Sequence, residues 1–145
     1  MKWLICDVDH TLFDSRGRDG LANEKDWDAY NAAAWKDPPV PEMIAMVNSL
    51  HASGWPTICL TACAEKWRPV KMRQLLDHGV EYDELIMRPH EDFRPSPALK
   101  VGLLMRRLRS LDDVGLVIED RDDVVAAFKE QNITVLQSHV RMIKP

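Results

Sequence analysis

Trp3-Leu4-Ile5-Cys6-Asp7-Val8-Asp9-His10-Thr11 is the stretch that decides the fold. Four apolar residues in a row suit a strand buried on both faces, as in a parallel sheet covered by helices. The run stops on two carboxylates at i and i+2. In extended chain that spacing sends both side chains the same way, off the carboxyl end of the strand. Open α/β sheets bind their ligands at that edge. Two carboxylates so close repel unless a cation lies between them or a proton moves between states. The pair therefore reads as a Mg²⁺-assisted phosphoryl-transfer site.

Outward from this stretch, strand and helix signals alternate. Asp14 to Gly20 is polar and glycine-rich, which predicts a mobile loop beside the carboxylates. Residues 23–35 suggest one helix, capped by Asn23 or Asp26 and stopped by Pro38-Pro39. Pro41 opens the next helix, with Met43, Ile44, Val47 and Leu50 on one face and Gly54 after its end. Thr57 to Leu60 reads as a short buried strand ending on Thr61. A helix over 67–78 is expected to turn Met72, Leu75 and Leu76 inward. A third strand at 85–87 leads into the loop 88–95. Ser96 then serves as N-cap, Pro97 as first helical residue, and Val101, Leu104, Met105 and Leu108 as the apolar stripe. Gly115 to Ile118 is a fourth strand, ending on Glu119-Asp120. A helix carrying Val124, Val125 and Phe128 and a last strand at 133–136 complete the chain. Asp122 and Asp123 fall in that helix's first turn, where acids complement the macrodipole. This rhythm predicts an α/β fold: a doubly wound, mostly parallel five-stranded sheet forming one domain over 1–145.

Size and charge narrow the function. A chain of 145 residues, 46% of them hydrophobic, is long enough for a real core. A net charge of −4 argues against coating nucleic acid through the overall field, while leaving room for a local basic patch. Three cysteines at no metal-ligand spacing point to a reducing compartment and to small core residues rather than nucleophiles. The opening apolar run is cut off at Asp7, too early for a signal peptide or membrane span. The expectation is a cytoplasmic protein with no membrane partner.

In a parallel sheet the carboxyl ends of all strands share one edge. Asp7 and Asp9, Thr61, and Glu119 with Asp120 stand at three such ends and are expected to converge. Lys100 falls in the first turn of its helix, where the macrodipole disfavours a cation unless an anion lies beside it. Arg16, Arg18, Arg68, Lys71 and Arg73, with Arg106, Arg107 and Arg109, offer cations to a polyanion, although a solvated helix face explains the last three equally well. Trp27, Trp35 and Trp67 are either base-stacking residues or rim packing.

In this order the residues resemble the haloacid dehalogenase-like phosphohydrolases. Asp7-Val8-Asp9-His10-Thr11 matches the first motif of that superfamily, Asp-x-Asp-x-Thr. Thr61 matches the second, Lys100 the third and Glu119-Asp120 the acidic fourth. Ile118-Glu119-Asp120-Arg121 and the small size look most like the phosphatase domain of polynucleotide kinase-phosphatases. His10 stands where that family usually has Gly. Thr61-Ala62-Cys63 replaces a Ser-Gly-Arg-like turn, which leaves Lys66 or Arg68 as the nearest substitute cation. A two-component receiver also uses Asp, Thr and Lys, but its acceptor lies on a later strand. No Gly-x-x-x-x-Gly-Lys-[Ser/Thr] phosphate loop occurs.

The resemblance implies a Rossmann-like core with no or minimal cap, and a Mg²⁺-dependent phosphomonoesterase working through an aspartyl-phosphate. Asp7 would be nucleophile and Asp9 general acid and base. Thr61 and Lys100 would hold the phosphoryl oxygens. Asp7, the Asp9 backbone carbonyl, Asp120 and (through water) Glu119 would hold the metal. His10, Arg18, Arg68 and Arg121 are the candidate substrate-binding residues, and 3′-phosphorylated ends of nucleic acid the implied substrate. A phosphatase for free nucleotides or other small phosphomonoesters is the alternative within chemistry, and a non-catalytic phosphate-end binding module the alternative outside it.

Overall fold

The computed structural model describes residues 2–140; Met1 and 141–145, the ends of the expected 1–145 domain, lie outside the described residues. Five parallel strands form one sheet: β1 (Trp3–Cys6), β2 (Thr57–Ala64), β3 (Glu84–Arg88), β4 (Val114–Glu119) and β5 (Val135–Gln137). Their order is β3-β2-β1-β4-β5, so the winding reverses at β1. The crevice beyond the carboxyl end of such a strand is where open sheets take ligands. Cys6 pairs with Cys59 on one side and Ile118 on the other, and the Asp7 amide donates to the Ile118 carbonyl at 2.9 Å. That register sets Asp7 beside Glu119 and one residue short of Thr61.

Alternation along β1 divides the core into two layers. Leu4 and Cys6 face one layer, with Ile44 and Val47 of α3 (Pro41–Ala52) and Leu75 of α4 (Arg68–Asp77). Ile5 faces the other, with Leu99, Leu103 and Leu104 of α5 (Ser96–Leu108) and Val124 and Phe128 of α6 (Asp122–Glu130). The doubly wound, Rossmann-like sandwich expected from the sequence is thus present. Among the described residues, only short helices and turns separate β1 from α3, and no inserted cap domain appears. No helix of the described residues is long and apolar enough to cross a membrane.

Several local expectations are corrected. The helix foreseen over 23–35 is broken into α1 (Asp19–Asn23), α2 (Trp27–Ala32) and a 3-10 turn at Ala34–Lys36. Lys25 takes a left-handed φ of 58°, which no α-helix can continue through, and Asp26 restarts the chain by accepting the Ala29 amide at 3.2 Å. Asn23 closes α1 and caps nothing. The loop at 14–20 is wound into a 3-10 turn at Ser15–Arg18 and the start of α1, and it is anchored through buried Ser15 and Arg18. Strand β2 runs four residues past Leu60. Its pairing with β3 slips between Leu60 and Ala64, which places Thr61 in an irregular stretch rather than at the strand end. Pro95, not Ser96, is the N-cap of α5.

Two helices sit at a different phase from their apolar stripes. In α4, Leu75 is buried, but Met72 and Leu76 are 48% and 76% exposed, and Lys71 and Gln74 take the inward places. In α5, Leu99, Lys100, Leu103 and Leu104 point inward while Met105 faces out. In both cases a lysine directed at the carboxyl edge sets the rotation. The apolar layers themselves follow the sequence pattern closely, as in α6, where Val124, Val125 and Phe128 are all buried. Phe128→Ala is expected to lower stability by about 3–5 kcal/mol in urea unfolding, the usual outcome of emptying a fully packed aromatic site.

Candidate active site

Beyond Cys6 the chain turns back on itself at once, with the Leu12 amide donating to the Val8 carbonyl at 2.9 Å. His10 carries the turn at φ 60°, the left-handed conformation that glycine adopts without strain. Here the histidine is held by its amide donating to Ser15 Oγ at 3.2 Å and its ring lying 3.4 Å from the Asp19 carboxylate. The turn also brings Thr11 above Asp7, so that its hydroxyl donates to Asp7 Oδ2 at 2.9 Å.

Lys100 enters from α5 and donates to Asp7 Oδ1 and Glu119 Oε2, both at 2.7 Å. All three residues are buried. Burial by itself drives the Lys100 pKa down, but Asp7 and Glu119 outweigh it and the ammonium stays charged well above its ordinary range. Asp7, Glu119 and Asp120 each bring a carboxylate oxygen within 4.8 Å of the others. Burial first, then the charge of Asp7 and a hydrogen bond to it, push Asp120 up to about 9, and the same crowding raises Glu119. One lysine does not neutralise three carboxylates. An all-oxygen donor set short of positive charge suits a hard divalent cation.

Asp9 lives in the opposite environment. Its Oδ1 accepts from Lys71 Nζ and, at 3.0 Å, from Arg18 Nη2. Although burial works against ionisation, Lys71 and then Arg18 overcome it and hold the Asp9 carboxyl below its usual value. Its Oδ2 has no protein hydrogen-bond partner among the described residues, and Asp9 lines the cavity. Arg18 is spent on this support: it grips Asp37 through Nε at 3.0 Å and Nη2 at 2.6 Å, reaches the Tyr30 carbonyl at 2.9 Å, and stacks 4.1 Å from the Tyr30 ring centroid. Lys71 is fully buried and also meets Gln74 Oε1 at 3.3 Å, while Gln74 donates to the Ala34 carbonyl at 3.0 Å.

A cavity of about 640 Å³ opens at this edge, and the four acids line it together with His10, Thr61, Lys100 and Arg121. Thr61 Oγ1 accepts the Cys63 amide at 3.1 Å, which fixes its rotamer at the floor. Arg121 reaches the rim while paired with Asp123 at 2.8 Å. Arg18 and Arg68 are not among the lining residues. Arg68 pairs with Glu65, donates to the Leu85 carbonyl at 2.9 Å, and lies in a separate basic cavity of about 430 Å³ with Arg106, Arg107 and Arg109. Lys66 is tied to Asp28 at 2.8 Å. The arginines that do line the active cavity are Arg88, at the end of β3, Arg94 and Arg121. Lys71, read from sequence as a surface cation, is a buried part of the site. Its signal was the i, i+3, i+4 spacing of Lys71, Gln74 and Leu75, which put a polar pair on the same face as a core leucine. Cys59 and Cys63 are pushed by burial to about 12 and about 11, so neither is a thiolate nucleophile at neutral pH.

A parallel sheet that reverses at a strand ending in Asp-x-Asp, faced by a threonine, a buried lysine and an acidic pair, defines a phosphohydrolase of the haloacid dehalogenase-like class. The sequence profile described as "Polynucleotide kinase PNKP phosphatase domain" matches residues 1–140, and the chain belongs to that family. As such a phosphatase domain it is a phosphoric monoester hydrolase. No curated protein sequence matches the chain significantly. Among solved structures it resembles a chain of the Pnkp1/Rnl/Hen1 complex, at 24% identity and TM-score 0.82 over 98% of this chain and 47% of that one. A second structure, of the Pnkp1/Rnl/Hen1 RNA repair complex, gives 24% and 0.83 over 95% and 42%. The chain therefore spans about half the length of these neighbours. L-2-haloacid dehalogenase from Xanthobacter autotrophicus shares the fold at 14% identity and TM-score 0.69, over 94% of this chain and 77% of that one.

Two outcomes follow from the charges. Lys71→Met leaves a buried carboxylate short of one partner and is expected to destabilise by about 2 kcal/mol or more in chemical unfolding. Adding Asp9→Asn should recover part of the loss. Asp120, at about 9 in the fold and about 3.9 unfolded, keeps its proton in the native state after the unfolded chain has released it. Its contribution to stability therefore falls as pH rises between those values. Without divalent cation, the melting temperature of Asp120→Asn relative to wild type should climb from pH 6 to pH 8.5.

Proposed function

We propose that the chain removes 3′-terminal phosphates from nucleic acid, with Asp7 as nucleophile and Mg²⁺ held by Asp7, Asp120, the Asp9 backbone carbonyl and, through water, Glu119. The observation that carries this reading is the confluence in one cavity of a lysine-anchored carboxylate, a cation-deficient acidic trio and a second, cation-paired carboxylate. Bound there, Mg²⁺ supplies charge for the transferring phosphoryl group. Asp7, fixed by Thr11 and Lys100, forms a bond to phosphorus as the bond to the sugar oxygen breaks, giving an aspartyl-phosphate. Asp9 gives a proton to the departing oxygen, then takes one from the water that cleaves the intermediate and frees Asp7, and passes it to the released phosphate. Since Lys71 and Arg18 keep Asp9 ionised at rest, the proton it delivers comes in with the substrate, whose phosphate carries one near its second pKa of about 6. Thr61 and Lys100 bind the equatorial oxygens.

The family supports a polynucleotide end as substrate. The neighbour described as part of an RNA repair complex supports an RNA end and a protein partner that presents it. The cavity has no cap over it among the described residues, which suits a phosphate carried on a large molecule. The deciding measurement is Mg²⁺-dependent phosphate release from 3′-phosphorylated oligonucleotides, 5′-phosphorylated ones, mononucleotides and an aryl phosphate. The 3′-phosphorylated oligonucleotides are expected to be cleaved with the highest kcat/KM. A better rate on mononucleotides would replace the substrate assignment. Asp7→Asn should reduce release to background, and Thr61→Val or Lys100→Ala should each lower kcat by about 10²–10³-fold.

A further inference from the structure

Phe93 stands at the mouth of the cavity with 89% of its surface exposed. An isolated exposed Phe is ordinary, but this one is not left outside by a loose loop. Arg88 donates to the carbonyls on both sides of it, Asp92 at 3.1 Å and Arg94 at 2.6 Å, and ties them to the Ala62 carbonyl of β2 at 3.0 Å. The Asp92 carboxylate in turn accepts from the Arg94 amide at 3.2 Å and from its guanidinium at 2.7 Å. That guanidinium lies over Gly102 of α5, where only a missing side chain leaves it room. Glu91 takes a left-handed φ of 59° to close the turn. Strain and an arginine clamp are thus used to hold an apolar ring in water. From α2, far away in sequence, Trp27 reaches the same cavity at 55% exposure, braced edge-on by Tyr30 at 5.6 Å.

We infer that Phe93, with Trp27 as a second wall, is the stacking platform for the base of the terminal nucleotide, so that the site selects nucleoside phosphates over sugar phosphates. The inference rests on the reading of the site as a nucleic-acid end phosphatase and adds to it the residues that recognise the nucleoside. The chemistry divides along the cavity: charged groups around Asp7 take the phosphate, and exposed rings with Arg94 and Arg121 beside them take a flat, hydrogen-bonding group beyond it. A phosphorylated sugar fills the first half and leaves the rings wet. Every base offers a π face, so the platform is tolerant of base identity.

The test compares kcat/KM on a 3′-phosphorylated oligonucleotide with that on the same oligonucleotide made abasic at its last position, for wild type, Phe93→Ala, Phe93→Leu and Phe93→Trp. Wild type is expected to favour the intact end by about 5- to 150-fold, the range that base stacking on one aromatic ring supports. Phe93→Trp should keep that preference, and Phe93→Ala and Phe93→Leu should lose most of it. A preference unchanged in Phe93→Ala, or kept by Phe93→Leu, overturns the platform while leaving the phosphatase reading intact. Wild-type activity on neither oligonucleotide, with turnover of an aryl phosphate or a phosphotyrosine peptide, overturns both readings.

Discussion

Lys100 is the charge on which the carboxyl edge depends. It bridges Asp7 and Glu119, all three of them buried at the edge of the cavity, and removing it would leave two buried carboxylates repelling each other across the switch point of the sheet. Its position also accounts for the phase of α5. With Pro95 as N-cap, Lys100 is the fifth residue of α5, just past the first turn, and what its partners must outweigh is desolvation. Once Lys100 points inward, Leu99, Leu103 and Leu104 become the buried set and Met105 is turned out.

The two aspartates of the opening motif are two residues apart in sequence and occupy opposite electrostatic environments. Asp7 sits among carboxylates with one lysine between them. Asp9 is answered by a lysine and an arginine on a single oxygen. The same separation of environments is how other acid–base pairs are given distinct roles. It is produced here by elements far apart in the chain: Arg18 from the turn after β1, held by Asp37, and Lys71 from α4, held by Gln74. One side carries a resting excess of carboxylates, the other a resting excess of cations.

The two misjudged helix phases share one cause. Hydrophobic periodicity assumes that a helix buries its apolar stripe, and in α4 and α5 a buried, ion-paired lysine overrides that rule. The winding of Ser15–Arg18 has a different origin. A polar, glycine-bearing stretch looks mobile from its composition, yet Asp14 capping the turn and Arg18 reaching Asp37 and Asp9 give it a reason to be ordered. Arg88 escaped notice because its work is done on backbone carbonyls, which carry no sequence signature.

By itself, the sequence determined the alternation of strands and helices, the apolar strand ending on Asp7 and Asp9, and the order in which Thr61, Lys100 and Glu119-Asp120 follow. Local spacing and burial patterns are enough for these, because each is written in a few adjacent residues. Only the tertiary structure decided that Arg18 pairs with Asp37 and Asp9, that Arg68 belongs to a different cavity, that Lys71 holds Asp9, and that Phe93 is exposed beside the site. The partner of each lies elsewhere in the chain, and a cation carries no mark in sequence of whether its anion is a neighbouring carboxylate or a ligand.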